Sequence, residues 1–262
     1  MSRQNYYAAR RLRRRQEIDE ALVLELVKRE RRTQPRLGGR KLLHMVLGEL
    51  AEAQASIGRD RFFGLLAEND LLVVPKPRRA RTTDSRHTLP VFRNLLAQAE
   101  LDGPNQAWVS DLTYIRTAEG YLYAALITDA VSRKIVGAHI GDSLEAAGCL
   151  EALDQALAQL PTGMDPIHHS DRGCQYCCHA YVGRLRERGL KVSMTEVTHC
   201  YENALAERVN GILKQEYELD GEFRSKAQAK KAFEQAVWLY NHRRPHLKLE
   251  YRCPAEVHDL TT

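Results

Sequence analysis

"WVSDLTYIRTAEGYLYAALITDA", residues 108–130, decides the fold. Its halves, "WVSDLTYIRT" (108–117) and "YLYAALITDA" (121–130), are rich in β-branched and aromatic residues, and the short "AEG" between them predicts a hairpin. "RKIVGAHI" (133–140) supplies a third strand after a turn near Ser132. Asp111 stands in the middle of the first strand among apolar and aromatic neighbours, where an unpaired carboxylate is costly to bury. A charge in that place asks for a function.

Downstream, Ser143 can cap a helix that keeps Leu150, Leu153, Leu157 and Leu160 on one face up to Pro161. "PIHHS" then reads as a short strand ending at Asp171, "AYVGRLRERG" as a helix and "KVSM" as a further strand. A meander followed by alternating strands and helices predicts an α/β fold with a mixed five-stranded sheet and flanking helices. A third strong helix runs from Asn203 to Tyr217: Leu205, Val209 and Ile212 share one face, and Asn203, Glu207, Gly211 and Lys214 the other. Taken alone, that second face is a solvated one. Ser225 and Gln228 form a possible capping box for a last helix carrying Ala229, Phe233, Val237 and Tyr240, which Asn241 can end.

"HHSDRGCQYCCH" (168–179) crowds histidine and cysteine around Asp171. Cys174 and Cys177 have a spacing common in zinc ribbons, and His199 and Cys200 are conceivable further ligands. Against zinc, His168 and His169 are adjacent and cannot both turn inward from a strand. Packing of the cysteines around a loop turned by Gly173 is the plainer reading.

Upstream the chain is helical and basic. Ile18, Leu22 and Leu26 mark an amphipathic helix ended by Pro35; Leu43, Leu47 and Leu50 mark a second, and Phe62, Leu65 and Leu66 a third. Three short helices with glycine-containing turns suit a small all-helical, helix-turn-helix-like domain. Arg10, Arg11, Arg13, Arg14 and Arg15 crowd its start, Arg40 and Lys41 follow, and Arg78 and Arg79 lie in "KPRRARTTDSR". Such clusters within a chain of 262 residues and net charge +5 point to a polyanion, with nucleic acid foremost. No run of about eighteen apolar residues suggests a membrane span, and no signal peptide is recognisable, so six reduced cysteines in a cytoplasm are expected. The expected organisation is a helical DNA-binding region at 1–74, a basic linker at 75–103, a catalytic core at 104–222 and a C-terminal helix with a basic tail at 223–262.

Asp111, Asp171 and Glu207 come from two strands and a helix, and three carboxylates suit a hard divalent cation. Thirty-five residues separate Asp171 from Glu207. In that spacing the chain resembles the DDE transposases with a retroviral-integrase-like core, in particular the second-frame (OrfB-type) proteins of insertion sequences. "WVSDLTYI" resembles the family's first-aspartate strand, "HHSDRGCQY" its second-aspartate loop and "CYENALAERVNGILKQEY" its glutamate helix, with Lys214 seven positions beyond Glu207. "YNHRRPHLKLEYRCPAEV" and "LGGRKLLHMV" resemble its C-terminal and N-terminal segments.

The resemblance implies a ribonuclease-H-like fold and DNA end cleavage and strand transfer, with Asp111, Asp171 and Glu207 as catalytic and metal-binding residues. The metal would be Mg²⁺, with Mn²⁺ as substitute, in a pair of ions. DNA contacts are expected at Lys214, Arg172, Arg40, Lys41, Arg78, Arg79, Arg243 and Arg244. Element ends and target DNA would be the partners of a cytoplasmic, nucleoid-associated bacterial homo-oligomer. An upstream-frame helix-turn-helix protein, or a frameshift fusion with it, is a further expected partner, and the start at Met1 within a basic helix-forming stretch fits that arrangement. The alternatives are a non-catalytic DNA-binding regulator of transposition and a zinc-structured nucleic-acid binder. Asp129 is read as a turn residue and Glu202 as a helix cap.

Overall fold

The computed structural model describes residues 3–74, 89–196 and 203–260. They fall in two compact units, Met1–Pro77 and Arg78–Thr262. Arg78, Arg79, His199, Cys200 and Glu202 lie outside the described residues.

The first unit contains α1 (Arg3–Thr33), α2 (Gly39–Glu52) and α3 (Arg59–Glu68). Val23, Leu26 and Val27 meet Leu42, Val46 and Leu50 and then Phe62, Leu65 and Leu66 in one core. Two expected core positions are wrong: Ile18 is 59% and Leu47 45% exposed. Both helices carry consecutive apolar residues, Leu22-Val23-Leu24 and Val46-Leu47, so two neighbouring stripes satisfy helical spacing and only packing selects between them.

In the second unit, β1 (Ala107–Thr117) and β2 (Gly120–Asp129) form the expected antiparallel hairpin, and β3 (Ile135–Gly141) pairs with β2. After α4 (Ala146–Ala158), β4 (Ile167–Ser170) returns parallel to β1. The short α5 (Cys174–Cys177), then α6 (His179–Glu187), lead to β5 (Lys191–Met194), parallel to β4. Strand order is β3-β2-β1-β4-β5, and these are the five strands of the expected mixed sheet. A sixth strand, the two-residue β6 (Glu222–Phe223), adds to β1 at Arg116 and Thr117. Two residues are too short to leave a period in the sequence.

One sheet face, with Trp108, Ala125, Ile127 and Val136, packs on α4 and α6. The other, with Ile115, Leu122, Ala124 and Leu126, packs on α7 (Ala204–Glu216) and α8 (Lys226–His242). Ser225 caps α8, its Oγ accepting from the Gln228 N–H at 3.2 Å. Asn241 does not end that helix. Its Oδ1 accepts from the Ile135 N–H and its Nδ2 donates to the Ile135 carbonyl, each at 2.9 Å, so it clamps β3 instead. Ser143 likewise precedes α4 as a turn, its hydroxyl accepting from the Glu145 N–H at 3.1 Å. The chain closes with α9 (Pro254–Asp259). No described helix is long and apolar enough to cross a membrane.

Candidate active site

The β1/β4 register builds the site. Its last pair is Ser110 with Ser170, so Asp111 and Asp171 follow side by side, on parallel strands about 4.8 Å apart. Asp171 Oδ1 accepts from the Gly173 N–H at 3.0 Å, which holds its carboxylate against the loop. Gly173 is needed for space: its backbone is extended, with φ −60° and ψ 139°, but a Cβ there would lie 3.0 Å from Asp171 Oδ1. The sharp backbone turn expected of it is therefore replaced by a close approach.

Helix α7 is fastened to β1 at two points. Asn203 Nδ2 donates to the Ser110 carbonyl at 3.0 Å, and Asn210 Nδ2 donates to Asp111 Oδ2 at 2.8 Å. Positions 203, 207 and 210 form one helical stripe, so Glu207 stands between the two anchors. Both asparagines are buried, at 3% and 6% exposure, where the sequence predicted a solvated face on Asn203's side. They are the site residues that sequence reasoning missed; their spacing around Glu207 was the available signal. Their Oδ1 atoms are buried without a hydrogen-bond partner among the described residues.

The electrostatics match the geometry. Burial, and then the charge of Asp171, push the Asp111 carboxyl up to about 7; Glu207 adds to the rise, and the Asn210 amide opposes it. Removing water and gathering like charges both penalise the carboxylate, and a bound cation would relieve both. Among the described residues no three His, Cys, Asp or Glu side chains are placed to hold a metal ion.

Among the described residues the neighbouring histidines and cysteines form no metal-holding group. His168 Nε2 lies 2.7 Å from Ser110 Oγ and 2.9 Å from the Tyr181 hydroxyl, and burial drives its ring down to about 3, so it is a neutral core group. His169 Nδ1 is 2.8 Å from Ser193 Oγ. Cys177 packs against Met194, and burial pushes its thiol up to about 11, away from the thiolate that zinc binds. Cys174 is exposed rather than packed. Asp129 is the turn residue expected: Oδ1 accepts from the Val131 and Ser132 N–H groups and the Ser132 hydroxyl, and Oδ2 from the Asn105 N–H.

The basic residues separate into two kinds. Lys214 lies near Tyr114, its Nζ 6.0 Å from the ring centroid, and Arg40 and Arg243 are exposed. Arg172 Nε donates to the Thr195 carbonyl at 2.7 Å. Arg244, expected at DNA, is instead 2% exposed and grips Glu216 through Nε and Nη2 at 2.8 Å each. Its charge makes it read as a surface group, whereas its planar fork suits a buried pair. Lys41, also expected at DNA, is only 8% exposed.

A mixed sheet of order β3-β2-β1-β4-β5, with carboxylates at the centre of β1 and the end of β4, defines the ribonuclease-H-like polynucleotidyl transferases. Comparison with known proteins gives the family. Two integrase core domain descriptions match residues 102–200 and 188–254. The insertion element IS600 uncharacterized 31 kDa protein of Shigella sonnei is 38% identical over 243 residues, covering 92% of this chain and 88% of the relative. The transposase for insertion sequence element IS629 of Shigella sonnei is 35% identical over 222 residues, covering 84% and 73%. Among solved structures, a chain of the simian T-cell lymphotropic virus intasome in complex with PP2A regulatory subunit B56 gamma superposes with TM-score 0.50 at 17% identity, over 84% of this chain and 70% of that one, a likeness of fold. The chain belongs to the insertion-sequence transposases with an integrase-like core.

Proposed function

We propose that this chain is a DDE transposase subunit that cleaves DNA at element ends and transfers the freed strand to target DNA through Asp111, Asp171 and Glu207. The observation that carries the reading is the juxtaposition of Asp111 and Asp171 beside a helix pinned to β1 on both sides of Glu207. An all-oxygen donor set with one carboxyl pushed up to about 7 fits Mg²⁺ or Mn²⁺. Asp111, Asp171 and Glu207 would hold a pair of ions. When bound, the ions supply Lewis-acid activation of the attacking oxygen and charge stabilisation of the leaving one.

The chain's own part is positioning. Asn210 fixes the Asp111 carboxylate, Gly173 fixes that of Asp171, and Lys214 neutralises a phosphate next to the scissile one. Water would first attack the phosphodiester at the element end, breaking its P–O3′ bond to leave a 3′-hydroxyl and a 5′-phosphate on the flanking DNA; that hydroxyl would then attack a target phosphodiester, joining to its phosphorus and expelling the target's own 3′-hydroxyl. No side chain forms a covalent intermediate. Exposed Arg40 and Arg243 hold DNA through phosphates, and assembly on two ends calls for a homo-oligomer, with an upstream-frame protein as a further partner.

Titration of Mg²⁺ or Mn²⁺ into the full chain, followed by calorimetry, tests the site. Binding should be lost in Asp171→Asn with the fold intact by circular dichroism. Equal metal binding by wild type and variant would leave the non-catalytic regulator as the better reading.

A further inference from the structure

We infer that Tyr114, Tyr121 and Tyr123 form a platform that stacks unpaired nucleobases of the DNA end next to the acidic site; this rests on the transposase reading. Strand β1 is flanked by β4 only as far as Ser110 and by β6 only from Arg116. Between them residues 111–115 have no neighbouring strand on that side among the described residues, and Asp111 is at one rim of the gap. The hairpin register pairs Tyr114 with Tyr123 and Arg116 with Tyr121, setting three tyrosines and an arginine on one face beyond the Leu112–Ala125 pair.

Beyond that pair the face, covered elsewhere by α4 and α6, is left open. Tyr114 is 38% and Tyr121 54% exposed. Tyr114 and Tyr123 meet edge to face, with centroids 5.8 Å apart at 74°, which fixes the Tyr114 ring. Lys214 Nζ lies 6.0 Å from the Tyr114 centroid, and Arg116 stands beside it, with Glu222 at 3.8 Å. Rigid aromatic faces with cations alongside are what a single nucleic-acid strand recognises: rings stack on bases, and ammonium or guanidinium groups meet phosphates.

Reach supports an unpaired strand. Tyr114 is three residues along β1 from Asp111, about 10 Å at strand rise, and strand alternation turns the two side chains to opposite faces, so a DNA strand would pass over the uncovered β1 edge, where Lys214 of α7 comes within 6.0 Å of the Tyr114 ring. Stacked nucleotides advance about 3.4 Å each along a strand, so a base about three nucleotides from the scissile phosphate reaches the ring. Base faces are open to a ring only once the end has frayed; in an intact duplex they are covered by their neighbours.

The test is binding by the full chain in EDTA, where no chemistry occurs, to a duplex with three unpaired 2-aminopurine-labelled nucleotides at its end and to a blunt duplex of equal length. Tyr114→Ala should weaken frayed-end binding about tenfold and relieve base quenching, while Tyr114→Phe, which keeps the ring, binds as wild type. Blunt binding should be unchanged in both. Tyr121→Ala, at an exposed position, should weaken frayed-end binding in the same sense and guards against misfolding of the first variant. Frayed-end binding indifferent to both alanine variants overturns the platform while leaving the transposase reading standing. Loss of self-association in Tyr121→Ala without change in DNA binding also overturns it, and assigns the face to a second copy of the chain. A wild type that binds neither probe overturns the transposase reading together with the platform.

Discussion

Asp111 is a residue the metal-free fold tolerates at a cost. Its carboxyl is pushed up to about 7, so between about pH 4 and pH 7 the folded chain holds a proton that the unfolded chain has released. Stability in EDTA should therefore fall as pH rises through that window, and Asp111→Asn should flatten the fall and melt higher than wild type at pH 8. Thermal melts at several pH values check this; a variant that melts lower than wild type at pH 8 contradicts it. The same substitution should abolish strand transfer. Asn210→Ala removes the amide that favours the charged form of Asp111, so any activity that survives should move to higher pH. A pH–rate profile of that variant reads the shift, which a merely structural asparagine would not produce.

Elements hold these residues in place through a few contacts. β3 and α4 touch so closely at Gly137 that a Cβ there would collide with the Ala152 carbonyl. Gly137→Ala should destabilise by about 1–3 kcal/mol, seen as a lowered denaturation midpoint. The ends of α7 and α8 are joined by the buried Arg244–Glu216 pair, and Arg244→Ala should destabilise by about 3–5 kcal/mol because it removes a buried, doubly hydrogen-bonded guanidinium from beside the Glu216 carboxylate. DNA affinity per folded molecule should stay unchanged in that variant, which separates it from a phosphate contact. This level also shows where the sequence spoke and where it was silent. The hairpin, β4 and the glutamate helix were legible because alternation, turn residues and helical apolar spacing are local signals. The buried roles of Arg244, Asn203, Asn210 and Asn241 were not, because each depends on a partner far along the chain, and a polar residue on a helix reads as solvated until that partner is known. The α1 stripe at Ile18 failed for a related reason: neighbouring apolar residues offered two equivalent faces.

At the scale of the whole molecule, the helical unit and the sheet unit have separate hydrophobic clusters. Calorimetry of the full chain should accordingly resolve two unfolding transitions, and Gly137→Ala should move only the one belonging to the sheet unit. Family membership and fold place the chain among polynucleotidyl transferases, and the residues proposed to do the chemistry are the three carboxylates at positions 111, 171 and 207. The central claim is most directly tested with purified full-length protein, labelled element-end DNA, target DNA and Mg²⁺ or Mn²⁺, comparing wild type with Glu207→Gln. The account predicts metal-dependent 3′-end cleavage and joined products from wild type and none from the variant. The same products from both proteins, or products that persist in EDTA, would contradict it.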